Sequence, residues 1–374
     1  MAGRERRGAA VQAVVFHELG KPPAIEEVDL APPKAREVRV KVVASGLCHS
    51  DIHRLHGHLP AATPMVMGHE GSGVVEEIGE AVTDVAPGDH VVISFGPYCG
   101  GCRSCSDGRF SNCERKLANA QRGNLLDGTS RLSLDGQRIS HQSSVSSFAQ
   151  EAVVHESSAV KVREDAPLET VALLGCGATS GLAPVFNDAQ VEAGSTVAVI
   201  GVGGLGLNTV QASALSGALT IIAIDLLDHR LDQAREFGAT HAINAGEQDP
   251  IAEVRRISGG GVDYAFEVIG LPETVLQAIQ MVRPGGETIV IGALSGDAVV
   301  SIPWMGMMRG PLRRSGFGAS RPNVDIPRYV DLYMAGKLRF DELVTGRYPL
   351  SGFHDAVEVM ERGEGVRNII HPNG

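Results

Sequence analysis

The sequence lacks any long apolar run. Arg4, Arg6 and Arg7 near the start are not followed by the uninterrupted apolar segment that a secretory signal peptide requires. No stretch of the 374 residues approaches the ~20 consecutive apolar residues that a transmembrane helix needs. The chain is therefore expected to be a soluble cytoplasmic protein.

The sequence also lacks an excess of positive charge. Its 33 lysines and arginines stand against 44 aspartates and glutamates, which gives a formal net charge of −11. This balance argues against nucleic acid or an anionic membrane as the main partner. Hydrophobic residues make up 43% and charged residues 21%, close to globular averages, so bulk disorder is excluded. At roughly 150 residues per domain, the length indicates two domains, with three as the alternative.

Cysteine is scarce but clustered, since four of the six cysteines fall within fifteen residues. In a long chain without an export signal, such a cluster indicates metal binding or redox chemistry rather than disulfides. The spacing is Cys99-x2-Cys102-x2-Cys105-x7-Cys113. Four thiolates can close a tetrahedral shell around a structural zinc ion and leave no coordination position open. Unrelated cysteines or an iron–sulfur cluster are the alternatives.

A glycine-rich turn lies in the second half of the chain. The apolar run from Val197 to Ile200 is followed by Gly201-Val202-Gly203-Gly204-Leu205-Gly206 and then by a helix-like stretch. Asp225 lies nineteen residues after Gly206, at the end of the next apolar run. This arrangement is typical of dinucleotide binding, in which glycines admit a pyrophosphate and the carboxylate binds the adenosine ribose. Because Asp225 would repel a 2′-phosphate, the predicted coenzyme is NAD rather than NADP. An ordinary βα turn of another α/β fold is the alternative.

The hydrophobic pattern changes along the chain. Residues from about 11 to 95 are β-rich, with Val38, Val40 and Val42 alternating with Arg39 and Lys41. Residues from about 114 to 150 are polar and predict a long loop. From about 195 to 320, strands alternate with helices, which indicates βαβ units in a parallel doubly wound sheet. The C-terminal part is expected to be helical, with a final strand at Asn368-Ile369-Ile370.

Three dispersed residues form a further candidate site. Cys48, His69 and Cys176 would together make a Cys2His site with an open fourth position, which is the arrangement of catalytic zinc. Singly, each residue has a plain structural interpretation as a buried thiol or a core histidine. Their spacing alone does not decide between the two interpretations.

The order of these motifs resembles that of zinc-dependent medium-chain alcohol dehydrogenases over essentially the whole chain, and it is similar to the longer, dimeric branch. The motifs are Gly46-Leu47-Cys48-His49-Ser50-Asp51, Gly68-His69-Glu70, the four-cysteine lobe, Gly175-Cys176-Gly177 and the Gly201 turn. The resemblance implies a β-rich GroES-like catalytic domain at 1–178, with the structural-zinc lobe at about 96–114. It further implies an NAD-binding Rossmann domain at 179–320 and a C-terminal return at 321–374 that completes the catalytic domain. A homodimer is implied, with a tetramer as the alternative.

The resemblance also implies roles for single residues. Cys48, His69 and Cys176 would hold a catalytic zinc, so that each chain would carry two zinc ions. Asp51 resembles the carboxylate that orients the ligating histidine, and Glu70 the acid behind the metal. Ser50 and His53 match the proton relay that carries the alcohol proton through the cofactor ribose to solvent. Coenzyme contacts are implied for His49, Gly201, Gly203, Gly204, Leu205, Gly206, Asp225, Arg230 and Arg367. The implied reaction is reversible hydride transfer between NAD and a small-molecule primary or secondary alcohol, with bulky or aromatic alcohols included.

The sequence departs from the family at several positions. His49 stands where an arginine beside the phosphates is common. Leu59 and Leu117 replace an acidic residue and an arginine of the glutathione-linked formaldehyde branch, which argues against glutathione adducts as substrates. Phe95 keeps an aromatic wall near the metal, but Gln142, Ser143 and the small Ala118 predict a wider and more polar substrate pocket.

Two other functions stay open. One is a nicotinoprotein with permanently bound NAD and an external hydride acceptor, and the other is a non-catalytic binding relative.

Overall fold

The computed structural model describes residues 8–374, so Arg4, Arg6 and Arg7 lie outside the described residues. Contacts between Cα atoms divide the chain into two units. The first comprises the residues up to Cys176 together with Arg321–Gly336 and Phe340–Gly374. The second comprises Gly177–Ser320 and Lys337–Arg339.

The strands follow one another along the chain with these bounds. They are β1 (Ala9–Phe16), β2 (Ala24–Leu30), β3 (Glu37–Leu47), β4 (Met65–Val66), β5 (Gly71–Ile78), β6 (His90–Ile93), β7 (Leu132–Leu134), β8 (Gln137–Arg138), β9 (Ser140–His141), β10 (Glu151–His155), β11 (Ala159–Lys161), β12 (Thr196–Ile200), β13 (Thr220–Asp225), β14 (His241–Asn244), β15 (Val262–Glu267), β16 (Val282–Val290), β17 (Leu312–Arg314), β18 (Val344–Pro349) and β19 (Arg367–His371).

The α-helices are mostly short. They are α1 (His49–Leu55), α2 (Arg103–Ser106), α3 (Glu114–Ala120), α4 (Leu168–Val171), α5 (Gly177–Ala183), α6 (Gly204–Leu215), α7 (Asp228–Glu236), α8 (Pro250–Ser258), α9 (Pro272–Met281), α10 (Trp304–Met307), α11 (Pro322–Met334) and α12 (Phe353–Glu361). No single helix in the described part of the chain is long and apolar enough to cross a membrane. A bent pair, Leu168–Gly175 with Gly177–Asp188, meets that test only when its two parts are taken together.

Two sheets form the first unit. One has the strand order β8-β7-β2-β1-β4-β9, and the other has the order β11-β6-β5-β3-β19-β18 with β10 paired to β3. The predicted alternation occurs in β3, where Val38, Val40 and Val42 are fully buried in one hydrophobic core. This strand ends at Leu47, directly before Cys48, and its neighbour β19 begins with Arg367. The sheet therefore fixes the positions of two residues of the candidate site.

The second unit contains a parallel sheet with the strand order β14-β13-β12-β15-β16-β17. Every neighbouring pair in this sheet is parallel, which confirms the predicted doubly wound arrangement. Its strands are short apolar runs because both faces are covered, and Val197 to Ile200 are all buried. The glycine-rich turn follows the carboxyl end of β12, and Asp225 ends the adjacent β13.

The segment from 114 to 150 differs from the sequence prediction of a long loop. It contains α3 and the short strands β7, β8 and β9. The residues from Glu114 to Ala118 have good helix propensity, which explains α3. The three strands are only two or three residues long, so they are too short to leave a period-2 pattern in the sequence.

Candidate active site and metal centres

Cys48, His69 and Cys176 come together in the first unit. One ligand atom from each residue lies within 4.8 Å of the other two. Cys48 follows β3 at the start of α1, His69 lies in the turn between β4 and β5, and Cys176 follows a short turn of helix. All three residues are buried. Two thiols and an imidazole are a donor set that zinc takes in catalytic sites, so the residues present fit this metal.

The three side chains of the cluster share protons in the absence of a metal. Burial lowers the pKa of His69, but the neighbouring Asp51 carboxylate and Cys48 thiol bring it to a net value of about 10. A hydrogen bond with Cys176 holds the pKa of Cys48 well below the usual range of a thiol, and the adjacent His69 lowers it further. The same contact with Cys48, together with burial, raises the pKa of Cys176. Since zinc binds thiolates and neutral imidazole, its binding at this cluster displaces protons.

Asp51 is completely buried behind His69. Its Oδ1 accepts a hydrogen bond from His69 Nδ1 at 2.9 Å, and its Oδ2 accepts one from the backbone N–H of Cys48 at 2.9 Å. Because Nδ1 is engaged by the carboxylate, Nε2 is the ring nitrogen available to a metal. Asp51 therefore lies where the resemblance expects the carboxylate that orients the ligating histidine.

Glu70 and Arg367 form a buried ion pair next to the three ligands, in which Nη2 of Arg367 donates to Oε1 of Glu70. Burial lowers the pKa of Arg367, but Glu70 and the thiols of Cys48 and Cys176 raise it, so the guanidinium stays charged. A Cβ at Gly46 would overlap the Glu70 carboxylate, and one at Gly175 would lie 2.8 Å from the Cα of Glu70. These two glycines thus leave room for Glu70 beside the three candidate ligands, while its role behind a metal and the coenzyme contact of Arg367 stay predictions.

Ser50 and His53 both lie on α1. The Oγ of Ser50 is 3.0 Å from Nε2 of His69, the nitrogen available to the metal. His53 is half-buried, and its Nδ1 lies 3.3 Å from Nδ1 of His58. Burial and the neighbouring His58 lower the pKa of His53. Among the contacts of the described residues, no hydrogen bond joins Ser50 to His53, so their relay stays a prediction.

His49 is exposed and lines a cavity of about 320 Å³ in the first unit. Ile52, His56, Met360 and Glu361 complete the lining, and Nε2 of His56 lies 2.9 Å from Oε1 of Glu361. The cavity therefore carries imidazole and carboxylate groups together. The contact of His49 with coenzyme phosphates stays a prediction.

The four cysteines between residues 99 and 113 also converge, with all their Sγ atoms within 4.8 Å of one another. The Sγ atoms of Cys102 and Cys105 are 3.4 Å apart, and the backbone N–H of Cys99 donates to Sγ of Cys113 at 3.3 Å. Gly100 has a positive φ of 73°, a conformation that favours glycine and lets the loop turn around its sulfurs. Four sulfur donors with no open position fit a structural zinc ion.

The glycines of the Gly201 turn have distinct structural reasons. Gly201 has a φ of 89°, and a Cβ at Gly206 would overlap the carbonyl oxygen of Gly201, so the helix packs directly on the turn. Gly203 caps α6, and apart from its own atoms and its chain neighbours nothing lies within 4 Å of the place where its Cβ would be. That open space beside a helix N-terminus fits the close approach of a pyrophosphate. Gly204 and Leu205 begin the helix, so their N–H groups are available there.

Asp225 is buried beside this turn. Its Oδ2 accepts a hydrogen bond from the backbone N–H of Val202 at 3.0 Å, and its Oδ1 accepts one from Leu226 at 2.8 Å. The Nη1 of Arg230 lies 3.9 Å from Oδ2. The second unit thus brings together the turn, the acid and the basic residue that the resemblance assigns to the coenzyme, and the donor set fits a dinucleotide.

Two features near the three ligands were missed by the sequence reasoning. The sequence predicted that Gln142 adds polarity to a substrate pocket, and this is wrong. Gln142 is completely buried and donates from Nε2 to Asp51 Oδ1. Lys116 places its Nζ 5.1 Å from the ring centroid of Phe95, and burial lowers its pKa to about 8. The Phe95 ring in turn meets the His69 ring edge-on at 5.9 Å. A lysine in a polar segment gives no signal of such an environment.

Comparisons with known families and curated proteins agree along the chain. Residues 34–164 match the Alcohol dehydrogenase GroES-like domain, and residues 204–333 match the Zinc-binding dehydrogenase family. The chain is 38% identical over 377 residues to Alcohol dehydrogenase class-3 from Drosophila melanogaster. That alignment covers 99% of this chain and 100% of the relative.

Solved structures agree as well. An alcohol dehydrogenase zinc-binding domain protein from Burkholderia ambifaria superposes with a TM-score of 0.93 at 38% identity, over 97% of this chain and 99% of the other. A benzyl alcohol dehydrogenase from Acinetobacter calcoaceticus superposes with a TM-score of 0.92 at 33% identity, over the same shares of the two chains. These similarities span both units and therefore confirm the predicted pairing of a GroES-like domain with a Rossmann domain.

Proposed function

The chain belongs to the zinc-dependent medium-chain alcohol dehydrogenase family, and from this premise we propose that it catalyses reversible hydride transfer between NAD and a primary or secondary alcohol. The observation that carries the proposal is the convergence of Cys48, His69 and Cys176, with Ser50 Oγ 3.0 Å from the free nitrogen of His69. A structural relative would not need a hydroxyl at that place.

The protein's own residues supply the proton chemistry. When bound by Cys48, His69 and Cys176, zinc acts as a Lewis acid that lowers the pKa of an alcohol hydroxyl. Asp51 holds Nδ1 of His69 and so keeps Nε2 directed at the metal position. The hydroxyl of Ser50 accepts the proton of the alcohol and gives up its own proton, which is passed on to the imidazole of His53, half-buried on the same helix, and from there to solvent. The closed set of four cysteines in the lobe would hold a second zinc ion with a structural role.

The coenzyme is proposed to be NAD, which serves as the hydride acceptor when bound. The support is the Gly201 turn with its open space at Gly203, together with the Asp225 carboxylate at the end of the neighbouring strand. Gly203, Gly204 and Leu205 offer backbone N–H groups to the pyrophosphate, and Arg230 and Asp225 lie together at the ribose position.

Coenzyme selectivity tests the role of Asp225. The wild type should favour NAD over NADP, because a buried carboxylate repels a 2′-phosphate. Asp225→Ser should narrow the ratio of kcat/KM for the two coenzymes by at least about tenfold, equivalent to roughly 1.4 kcal/mol. The control is Asp228→Ser, three residues further on at the start of α7, which should leave the ratio unchanged. Equal kcat/KM for both coenzymes in the wild type would refute the assignment.

The pH dependence of kcat tests the role of His53. A lowered pKa leaves its imidazole neutral and able to accept a proton at pH 7, so its contribution should persist below pH 6.5 and disappear only once the ring is protonated. His53→Gln should lower kcat about tenfold near pH 7, less than the full effect of general base catalysis because water can stand in for the outer member of a relay. The loss should shrink at alkaline pH. His56→Gln, which alters an exposed histidine of the same turn, is the matched control. An unchanged kcat for His53→Gln at every pH would reduce this residue to a surface histidine.

Bulky and aromatic alcohols are the proposed substrates. The relative from Acinetobacter calcoaceticus is a benzyl alcohol dehydrogenase, and Phe95 of this chain lies edge-on to the ligand His69 as an aromatic wall. The test is a panel from ethanol to benzyl and long-chain alcohols, measured by the appearance of NADH. Benzyl alcohol should have a higher kcat/KM than ethanol. NAD that stays bound through gel filtration, with no turnover of added NAD, would instead identify a nicotinoprotein.

A homodimer is the proposed assembly, and it is supported by an apolar face of the second unit. Trp304 and Met305 are 78% and 71% exposed, and Val299 and Met308 are exposed beside them. The same segment leads into β17, an edge strand whose outer backbone groups have no strand partner within the sheet. A second copy would cover both features.

Light scattering should give twice the mass of one chain, and Trp304→Glu should shift the mass toward a monomer. A monomeric wild type would contradict the proposal.

A further inference from the structure

Gln142 lies between the backbone and the carboxylate that hold His69. Its Oε1 accepts a hydrogen bond from the N–H of Gly68 at 2.9 Å, and its Nε2 donates to Oδ1 of Asp51. A backbone N–H can only donate and a carboxylate can only accept, so the orientation of the amide is fixed by its two partners. The side chain is completely buried, and both of its polar ends are satisfied.

Both partners of Gln142 act on the same ligand. Gly68 directly precedes His69, and Asp51 accepts the hydrogen bond from Nδ1 of His69. The Nε2 of Gln142 lies 3.0 Å from that Nδ1, but both groups are donors toward Asp51, so this is a side-by-side contact rather than a hydrogen bond between them. The amide therefore holds the histidine at two points, through its peptide and through its carboxylate partner.

The backbone at Gly68 approaches the backbone of Phe148 closely, in a conformation that favours glycine. Gly68 has a φ of 93°, and a Cβ there would overlap the backbone nitrogen of Phe148. Asp51 also accepts the N–H of Cys48, so the network joins two of the three ligands. A change at Gln142 would thus be transmitted to His69 and Cys48 without any direct contact with the metal.

The loop that carries Gln142 is held in an unfavourable conformation. Ser143, Ser144 and Ser146 all have positive φ values, of 53°, 60° and 65°, which side-chain-bearing residues rarely adopt. Local hydrogen bonds maintain this conformation: Ser146 Oγ accepts from the N–H of Gln142 at 3.2 Å and donates to the carbonyl of Val66 at 3.0 Å. Backbone strain of this kind is retained where the surrounding structure requires it, and it often accompanies functional sites.

We propose that Gln142 is a positioning residue for the catalytic metal: it fixes the orientation of His69 through Gly68 and Asp51 and so sets the affinity of the Cys48–His69–Cys176 cluster for zinc. The inference rests on the proposed zinc-dependent function of that cluster. It also explains why a polar side chain occupies this completely buried position. Its amide serves the metal ligands rather than the substrate.

Two substitutions separate the contacts of Gln142. Gln142→Met keeps the length of the side chain and removes both hydrogen bonds, whereas Gln142→Glu keeps an acceptor for Gly68 and removes the donor to Asp51. The control is Val145→Ala, which alters a completely buried residue of the same loop that has an apolar side chain. Each purified protein is dialysed against a series of chelator concentrations, and its zinc content is measured by elemental analysis alongside kcat and the melting temperature.

The zinc of the cysteine lobe serves as an internal reference in each protein. Both Gln142 variants should release one zinc ion per chain at chelator concentrations about 10- to 100-fold lower than the wild type, as removal of an outer partner of a ligating histidine typically does. The second zinc should stay bound, and kcat should fall with the loss of the first. Val145→Ala should lower the melting temperature without such selective release.

Two results would overturn the inference. One is that Gln142→Met and Gln142→Glu release their zinc ions only at the chelator concentrations that the wild type requires. The other is release of both zinc ions together in step with the melting temperature, which would make Gln142 a purely structural residue. A wild type that binds only one zinc ion would instead remove the proposed function on which the inference rests, so the two failures are distinguishable.

Discussion

His69→Ala is expected to lower kcat by on the order of 10⁴-fold or more. The substitution removes one of three ligands from the cluster and with it the Lewis acid, whose effect on the transition state is worth several kcal/mol at about 1.4 kcal/mol per tenfold change in rate. It removes the hydrogen bond from His69 to Asp51 Oδ1, which keeps its hydrogen bond from Gln142, and the four-cysteine lobe and the core of the parallel sheet are untouched. The variant should therefore be folded and should contain one zinc ion per chain instead of two.

Cys105→Ser provides the contrast to His69→Ala. Cys105 is a buried member of the lobe, and a structural zinc ion contributes to the free energy of unfolding rather than to the reaction. This variant should lose the other zinc ion and have a lower melting temperature, while the folded fraction keeps most of its kcat. A Cys105 variant as stable as the wild type, or a His69 variant with normal turnover, would show that the two sites have been assigned the wrong roles.

Ser50→Ala is expected to lower kcat by on the order of 10²-fold, within the range that general acid–base groups contribute. The Oγ of Ser50 lies 3.0 Å from Nε2 of His69, so it is the protein hydroxyl nearest to the metal position among the contacts described. Ser50 contacts a metal ligand and is the proposed inner member of the relay, so bulk water is expected to replace it less readily than it replaces His53. The expected effect is therefore larger than that of His53→Gln.

The Ser50 measurement needs two controls. Ser45→Ala removes another hydroxyl of the first unit, which bonds to the carbonyl of Glu70 at 2.8 Å and not to the cluster, so it should change stability more than kcat. A deuterated alcohol shows whether hydride transfer limits the rate in each protein. If Ser50→Ala turned over at the wild-type rate while hydride transfer limited both enzymes, the alcohol proton would have to leave by another route.

Structural features that depend on residues adjacent in the sequence were predicted well. The alternation at Val38, Val40 and Val42 gave β3, and the run from Gly201 to Gly206 gave the turn before α6, because each pattern reflects local backbone and burial requirements. The four-cysteine lobe is similar, since its spacing itself reflects the loop that brings the sulfurs together.

Contacts between distant residues could not be predicted in this way. Gln142 is 91 residues from Asp51 and 74 from Gly68, and Arg367 is 297 residues from Glu70. Nothing local marks Gln142 as a partner of the ligands, and by position alone it was expected to add polarity to the substrate pocket. Only the pairing of β4 with β9, which ends directly before Gln142, brings it to His69. Tertiary placement therefore decides the role of this residue.

The rate of NADH formation from benzyl alcohol, measured as zinc is removed and restored, tests the central claim most directly. The account predicts that the rate follows the occupancy of the Cys48–His69–Cys176 cluster: it should fall toward zero as one zinc ion per chain is released to a chelator and return when zinc is added back. An undiminished rate in protein that has lost this zinc ion would contradict the proposal that the cluster is the catalytic centre.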